Sequence, residues 1–165
     1  MTTLPRRPFR TLTTTALAVA AASLALAAPA SADEVLPAPI DPQALQVLQE
    51  TNAARAAAGC APLLLMPLET TVADRHADEM AATGTMSHTG PDGSTPRSRL
   101  AAVGVRPMRT AENVALGYDA ATVVDAWLAS PGHRANILDC GLVYVGIAER
   151  QSGDGRFWTQ VFSSL

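Results

Sequence analysis

The sequence contains no lysine, so its twelve basic residues are all arginine and stand against fifteen acids. Three of those arginines, Arg6, Arg7 and Arg10, precede residue 33, which leaves nine against fifteen beyond it and a net charge of −6. A chain so poor in positive charge has no basic face for a phosphate backbone, and nucleic acid is excluded as an expected partner. Cysteine is scarce too: Cys60 and Cys140 are the only two, and neither lies in a CxxC pair or beside a histidine, which argues against a redox or nucleophilic role. The HExxH helix of zinc proteases and the GxSxG elbow of serine hydrolases are both missing. Beyond residue 33 there is no internal repeat, and no apolar run reaches the about 18 residues that a membrane-spanning helix needs.

What is present begins with an export pattern. Arg6, Arg7 and Arg10 precede an alanine-rich apolar run from Ala16 to Ala28, and Ala30-Ser31-Ala32 supplies a small-x-small cleavage site. Residues 1–32 therefore read as a signal peptide, and residues 33–40, rich in proline and alanine, as an extended lead-in. No cysteine follows the apolar run, which argues against a lipoprotein anchor. Export through the Sec pathway is the leading reading, with the twin-arginine route kept open by Arg6-Arg7-Pro8-Phe9. The product is expected to be a secreted, extracellular monomer. The 133 residues left after cleavage suit one domain with an ordinary core. In an oxidising compartment the even pair Cys60 and Cys140 is expected to form a disulfide contributing about 2 to 4 kcal/mol.

Breakers divide the rest. Asp41-Pro42 reads as a helix cap and first turn, with the helix running to Gly59 and presenting Leu45, Leu48 and Asn52 on one stripe. Asn52 and Arg55 are expected to tie helix ends to loops. A second helix spans Leu68 to Thr83 and stops at Gly84; the four-residue recurrence of Leu68, Val72, His76 and Met80 places His76 on the apolar face as a satisfied, half-buried histidine. A loop with a Gly90-Pro91-Asp92-Gly93 turn leads to a short helix capped by Thr95 and stopped by Gly104. Residues 109–116 read as extended, and Asp119 as the cap of a helix whose Val123, Val124, Trp127 and Leu128 face a core. That helix ends at Ser130-Pro131-Gly132 and the chain restarts as a helix led by His133. Leu142–Glu149 and Arg156–Phe162 read as two strands joined by a turn over residues 152–155, with apolar residues at successive positions as in a sheet covered on both faces.

Five segments in order, MSHTGPDGSTPRSRL (86–100), AENVALG (111–117), WLASPGHRANIL (127–138), YVGIA (144–148) and FWTQVF (157–162), resemble a bacterial secreted CAP domain of the SCP/PR-1-like superfamily. The resemblance covers residues 41–165. It implies an α+β fold, a three-layer α-β-α sandwich forming a single domain, with a central cleft lined by two histidines and two acids. His88, Glu112 and His133 match three of those positions, while the fourth, three residues after Trp127, holds Ser130 in place of an acid. For some relatives the resemblance also implies lipid binding.

Two imidazoles and a carboxylate form a set that a divalent metal such as Zn can use, with water completing the shell. The same groups form, as an alternative, a buried polar network in which Glu112 accepts from both rings and fixes the cleft wall. Lying 24 and 21 residues apart, they can be brought together only by the fold. The preferred functional reading is a non-catalytic binding or interaction module whose cleft takes a metal, a small lipid or a peptide; a structural extracellular factor without a ligand overlaps it. The alternative is an extracellular hydrolase, using a metal-bound water at His88, Glu112 and His133 or Ser130 as nucleophile. N-terminal sequencing of the exported protein is expected to begin at Asp33, and a chain starting at Ser31 would move the cleavage site to Ala28-Pro29-Ala30.

Overall fold

The computed structural model describes Met1 and residues 40–165; residues 2–39, on which the expected signal peptide and lead-in fall, lie outside the described residues. Asp41 opens the first helix, α1 (Pro42–Ala57), by accepting from the amides of Gln43 at 2.7 Å and Ala44 at 3.0 Å, while Pro42 occupies a position where no amide hydrogen is needed. The helix stops two residues before Gly59. A two-residue strand, β1 (Leu64–Leu65), leads into α2 (Pro67–Thr83), which ends at Gly84 in the left-handed region at φ 64°. Thr95 and Ser98 form a reciprocal capping box on α3 (Pro96–Ala102). Then follow β2 (Arg109–Leu116), α4 (Val123–Ala129), α5 (Pro131–Ile137), β3 (Tyr144–Ser152) and β4 (Gly155–Ser164). At α4 the cap position belongs to Thr122 rather than Asp119, and the Asp119 carboxylate instead accepts the Thr122 hydroxyl at 2.6 Å.

The four strands lie in the order β1-β3-β4-β2, with β1 parallel to β3 and the other pairs antiparallel. Strand alternation sends successive β4 side chains to opposite faces. Trp158, Gln160 and Phe162 face the layer of α1, α4 and α5, where the largest core gathers Val47, Trp127, Ile137, Val145 and Ile147. Phe157, Val161 and Ser163 face α2, packing with Met80, with Val72 and Ala73, and with Glu69 respectively. Both faces are covered, which makes the fold an α-β-α sandwich and accounts for the unbroken burial from Phe157 to Ser164.

The buried stripe of α1 is Ala44, Val47, Thr51 and Arg55, one step away from the expected stripe, and Leu45 is exposed. Polar partners, not hydropathy, decide this rotation. Thr51 accepts from Gln160 at 3.0 Å, and Arg55, fully buried, donates to the carbonyls of Ala61, Ile137, Asp139 and Leu142 at 2.8 to 2.9 Å. Burial pulls the Arg55 pKa below the usual guanidinium range, opposed by the charge of Asp139. Asn52 exchanges hydrogen bonds with the backbone of Leu63. The Cys60–Cys140 disulfide closes the same region, joining residues 80 apart in sequence at a Cα separation of 4.9 Å.

On the other face α2 rests on Gly146, where an added Cβ would lie 2.0 Å from the Glu69 carbonyl carbon and 2.4 Å from the Thr70 nitrogen. The obstruction is backbone and cannot rotate away. Gly146→Ala is therefore expected to lift the first turn of α2 and destabilise the fold by about 1 to 3 kcal/mol, the usual cost of overpacking. Thermal unfolding checks this, and an unchanged midpoint would contradict the close contact.

Candidate binding cleft at the edge of the sheet

Strand β2 has a hydrogen-bonded neighbour on one side only. The Gly117 amide bonds the Arg156 carbonyl in register with the ladder, so odd-numbered β2 residues turn their backbone groups toward β4 and even-numbered ones turn theirs to the open edge. There the Glu112 carbonyl accepts from Asn136 at 3.1 Å and the Val114 carbonyl accepts from the Trp127 indole at 3.2 Å. Side chains of α4 and α5 thus occupy the edge in place of a fifth strand.

The side chains of β2 alternate as its backbone does. Glu112 points toward the α2–α3 layer and Asn113 toward the layer of α1, α4 and α5. On the Glu112 side, a loop between α2 and α3 carries His88. The loop is folded by bonds between Gly90 and Ser94 and by the Asp92 carboxylate accepting from the Ser94 amide at 2.8 Å, with Gly93 at φ 80°. His88 Nδ1 donates to Glu112 Oε1 at 2.9 Å, and Arg99 donates to Glu112 Oε2 at 2.6 Å. Arg99 also holds the loop, donating to the carbonyls of His88 and Ser94 at 3.1 to 3.3 Å. The Glu112 side chain is only 1% exposed, whereas that of His88 is 53% exposed.

His76, on α2, belongs to this group. It is fully buried rather than half-buried, donates from Nε2 to the Ser87 carbonyl at 2.8 Å, and approaches Glu112 Oε1 to 3.9 Å. Its other nitrogen faces the Glu79 carboxylate at 3.3 Å. A cavity of about 230 Å³ opens beside it, bounded by Glu79, Met80, Thr83, Ser87 and Pro91. Neither His88, Glu112 nor His133 lines that cavity.

On the other side of β2, Ser130 links the two short helices and starts α5 without a side-chain cap. The His133 carbonyl accepts from Asn113 at 3.3 Å; Asn113 also donates to Gln160 and accepts from Asn136 at 2.9 Å. An amide chain therefore runs from Thr51 of α1 through Gln160 and Asn113 to α5. The charge of His88 acts on His133 as a lesser influence beside burial. The structure thus joins His88 directly to Glu112, while His133 is tied to β2 from the opposite layer through its backbone carbonyl and Asn113.

These groups do not fit a metal centre. Among the described residues, no three His, Cys, Asp or Glu side chains stand together as metal ligation requires. Both Glu112 oxygens are engaged, one by His88 and one by a guanidinium, and His88 Nδ1 is spent on the carboxylate. Two imidazole nitrogens remain, fewer than the three protein ligands of a catalytic zinc site. Sequence reasoning placed His76 as a satisfied histidine without joining it to this group, and it missed Arg99 and Asn136, whose positions three residues after Pro96 and three after His133 were the only signals.

His88 and His133 shift in opposite directions from 6.5. The hydrogen bond to Glu112, reinforced by its charge, raises His88, while burial and the charge of His88 lower His133. A raised histidine stabilises the fold fully below about pH 6.5, and that contribution is lost as pH rises through its folded pKa. His133 favours folding in its neutral form, and that contribution is lost as pH falls through its lowered pKa. Titration of the imidazole proton signals by NMR is expected to find His133 losing its proton before His88 as pH rises, with Glu112→Gln narrowing the gap. The reverse order would contradict the Glu112 contact.

Residues 48–162 match the cysteine-rich secretory protein (CAP) family. The chain is 30% identical over 155 residues to the protein YkwD of Bacillus subtilis (strain 168), covering 90% of this chain and 60% of that one. It is also 30% identical over 118 residues to the membrane protein YlbC of the same organism, covering 71% of this chain and 33% of that one. It thus spans less than two thirds of the length of either relative. Among solved structures, an outer surface protein of Borrelia burgdorferi superposes with a TM-score of 0.70 at 22% identity, covering 74% of this chain and 92% of that one. An extracellular SCP-domain protein of Bacillus anthracis gives 0.68 at 26% identity, covering 78% and 45%. With the family match spanning more than two thirds of its length and the sandwich shared with these structures, the chain belongs to the CAP family of cysteine-rich secretory proteins.

Proposed function

We propose that this CAP domain is a secreted, non-catalytic binding module whose cleft at the β2 edge, lined by His88, Glu112, Ser130 and His133, takes an acceptor group of an extracellular peptide or small lipid. The observation that carries this reading is the commitment of Glu112. A carboxylate serves as a general base only with an oxygen free to take a proton from a reacting group. Here the carboxylate is buried against Arg99 and spends its second oxygen orienting His88. What the arrangement presents outward is the far edge of the His88 ring, more than half exposed and held in one direction by its own hydrogen bond. That is a recognition group. Secretion is supported by the basic-apolar-small pattern of residues 1–32 and by a disulfide suited to an oxidising compartment. Among the described residues no helix is long and apolar enough to cross a membrane.

Protein purified from the culture medium of its own host is expected to carry a small lipid or peptide detectable by native mass spectrometry. His88→Ala is expected to weaken its retention by about tenfold to a hundredfold, the worth of a charge-assisted hydrogen bond, while unfolding stays cooperative. Turnover of peptide or ester substrates that is abolished by Ser130→Ala or His88→Ala would move the assignment to a hydrolase.

A further inference from the structure

We propose that Arg99 is a built-in cation that keeps divalent metal out of this cleft, making the site selective for hydrogen-bond acceptors over metal ions. This deepens the reading of the cleft as a binding site and rests on it. Glu112 is the acid that joins the His88 loop to β2, and its Oε2 accepts from Arg99 at 2.6 Å. A guanidinium does not deprotonate in a protein, so no change of pH within the stable range releases that oxygen. A divalent ion entering beside Glu112 would meet a fixed positive charge within a few ångströms, in a site too buried for water to screen it well.

Arg99 is also prevented from swinging aside. Only 8% exposed, it is tethered by the carbonyls of His88 and Ser94 as well as by the carboxylate. Its Nε is buried with no hydrogen-bond partner among the described residues, so the guanidinium is held for the Glu112 contact at the cost of another bond. The arrangement also ties the acid to the loop. The same side chain that neutralises Glu112 fixes the backbone of His88, and the ring keeps Nδ1 on Glu112, so that only Nε2 faces outward.

The test is calorimetric titration with zinc chloride of the full chain, free of a histidine tag and stripped with chelator. Wild type is compared with Arg99→Gln, Arg99→Lys and the double variant Arg99→Gln/His88→Ala. Removing the cation is expected to create zinc uptake at least about tenfold tighter than in wild type, lost again in the double variant, while Arg99→Lys resists zinc as wild type does. Zinc uptake by wild type that matches Arg99→Gln, or a folded Arg99→Gln that gains none, overturns the proposal. Should Arg99→Gln fail to fold, cobalt(II) added to wild type decides: unbroadened His88 and His133 signals in the NMR spectrum support exclusion, and selective broadening of both refutes it. Because no arm reads peptide or lipid capture, failure here is distinguishable from failure of the binding role itself.

Discussion

The geometry of the candidate site depends on one constraint, the two-residue alternation of a strand at the edge of a sheet. Glu112 and Asn113 are neighbours in sequence, and strand geometry sends them to opposite layers. One meets His88, His76 and Arg99; the other meets Asn136 and the His133 carbonyl. A slip of one residue against β4 would exchange the two faces and bury an amide where the guanidinium needs a carboxylate. The register is held by eight paired residues, from Arg109 opposite Ser164 to Leu116 opposite Phe157. Because β2 lies at the edge, the two layers can meet around it. A strand in the middle of the sheet would have kept them apart.

The position of α5 depends on a second centre, at the end of α1. Arg55 gathers carbonyls from Ile137, Asp139 and Leu142, the stretch that ends α5 and starts toward β3. A buried carbonyl left unpaired would cost about 1 to 3 kcal/mol, so the guanidinium is worth more to the fold than its charge suggests. The disulfide acts on the same stretch by a different physics. By closing a loop of 80 residues it removes freedom from the unfolded chain, about 4 kcal/mol in the loop-entropy account. One fixes where α5 sits in the native state, and the other reduces what folding must organise. Together they set the position from which His133 and Asn136 reach β2.

Much of this was legible in the sequence because its punctuation is local. Asp41-Pro42, Gly84, Thr95-Pro96 and the turn over residues 152–155 act through their own backbones, and the elements begin and end within a few residues of them. What was not legible depends on partners far along the chain. The two-residue β1 exists because Leu64 pairs with Tyr144, 80 positions away, and no pattern of period two fits in so short a run. The stripe of α1 was misplaced because hydropathy favours Leu45 over Thr51, while the structure buries Thr51 to satisfy Gln160. His88, Glu112 and His133 stood out through their motifs; Arg99 looked like one more arginine on a short helix, since its role depends on a carboxylate that β2 turns toward that helix.

Glu112 also gives the site a direction. A carboxylate 1% exposed is tolerable only when its charge is met, and here a guanidinium meets it from one side and an imidazole from the other. The Glu112 side of the candidate site is therefore neutral or positive, ending in the exposed edge of His88. Across the strand, burial and that same positive charge favour the neutral form of His133, whose ring can then accept as well as donate. On the proposed binding role, a ligand lying across the edge of β2 meets a donor on the His88 side and an amphoteric ring on the His133 side. Its acceptor group settles toward His88 because only there does the protein supply a charge-assisted donor. Two histidines that look equivalent in sequence are thus made different by which face of one strand each approaches.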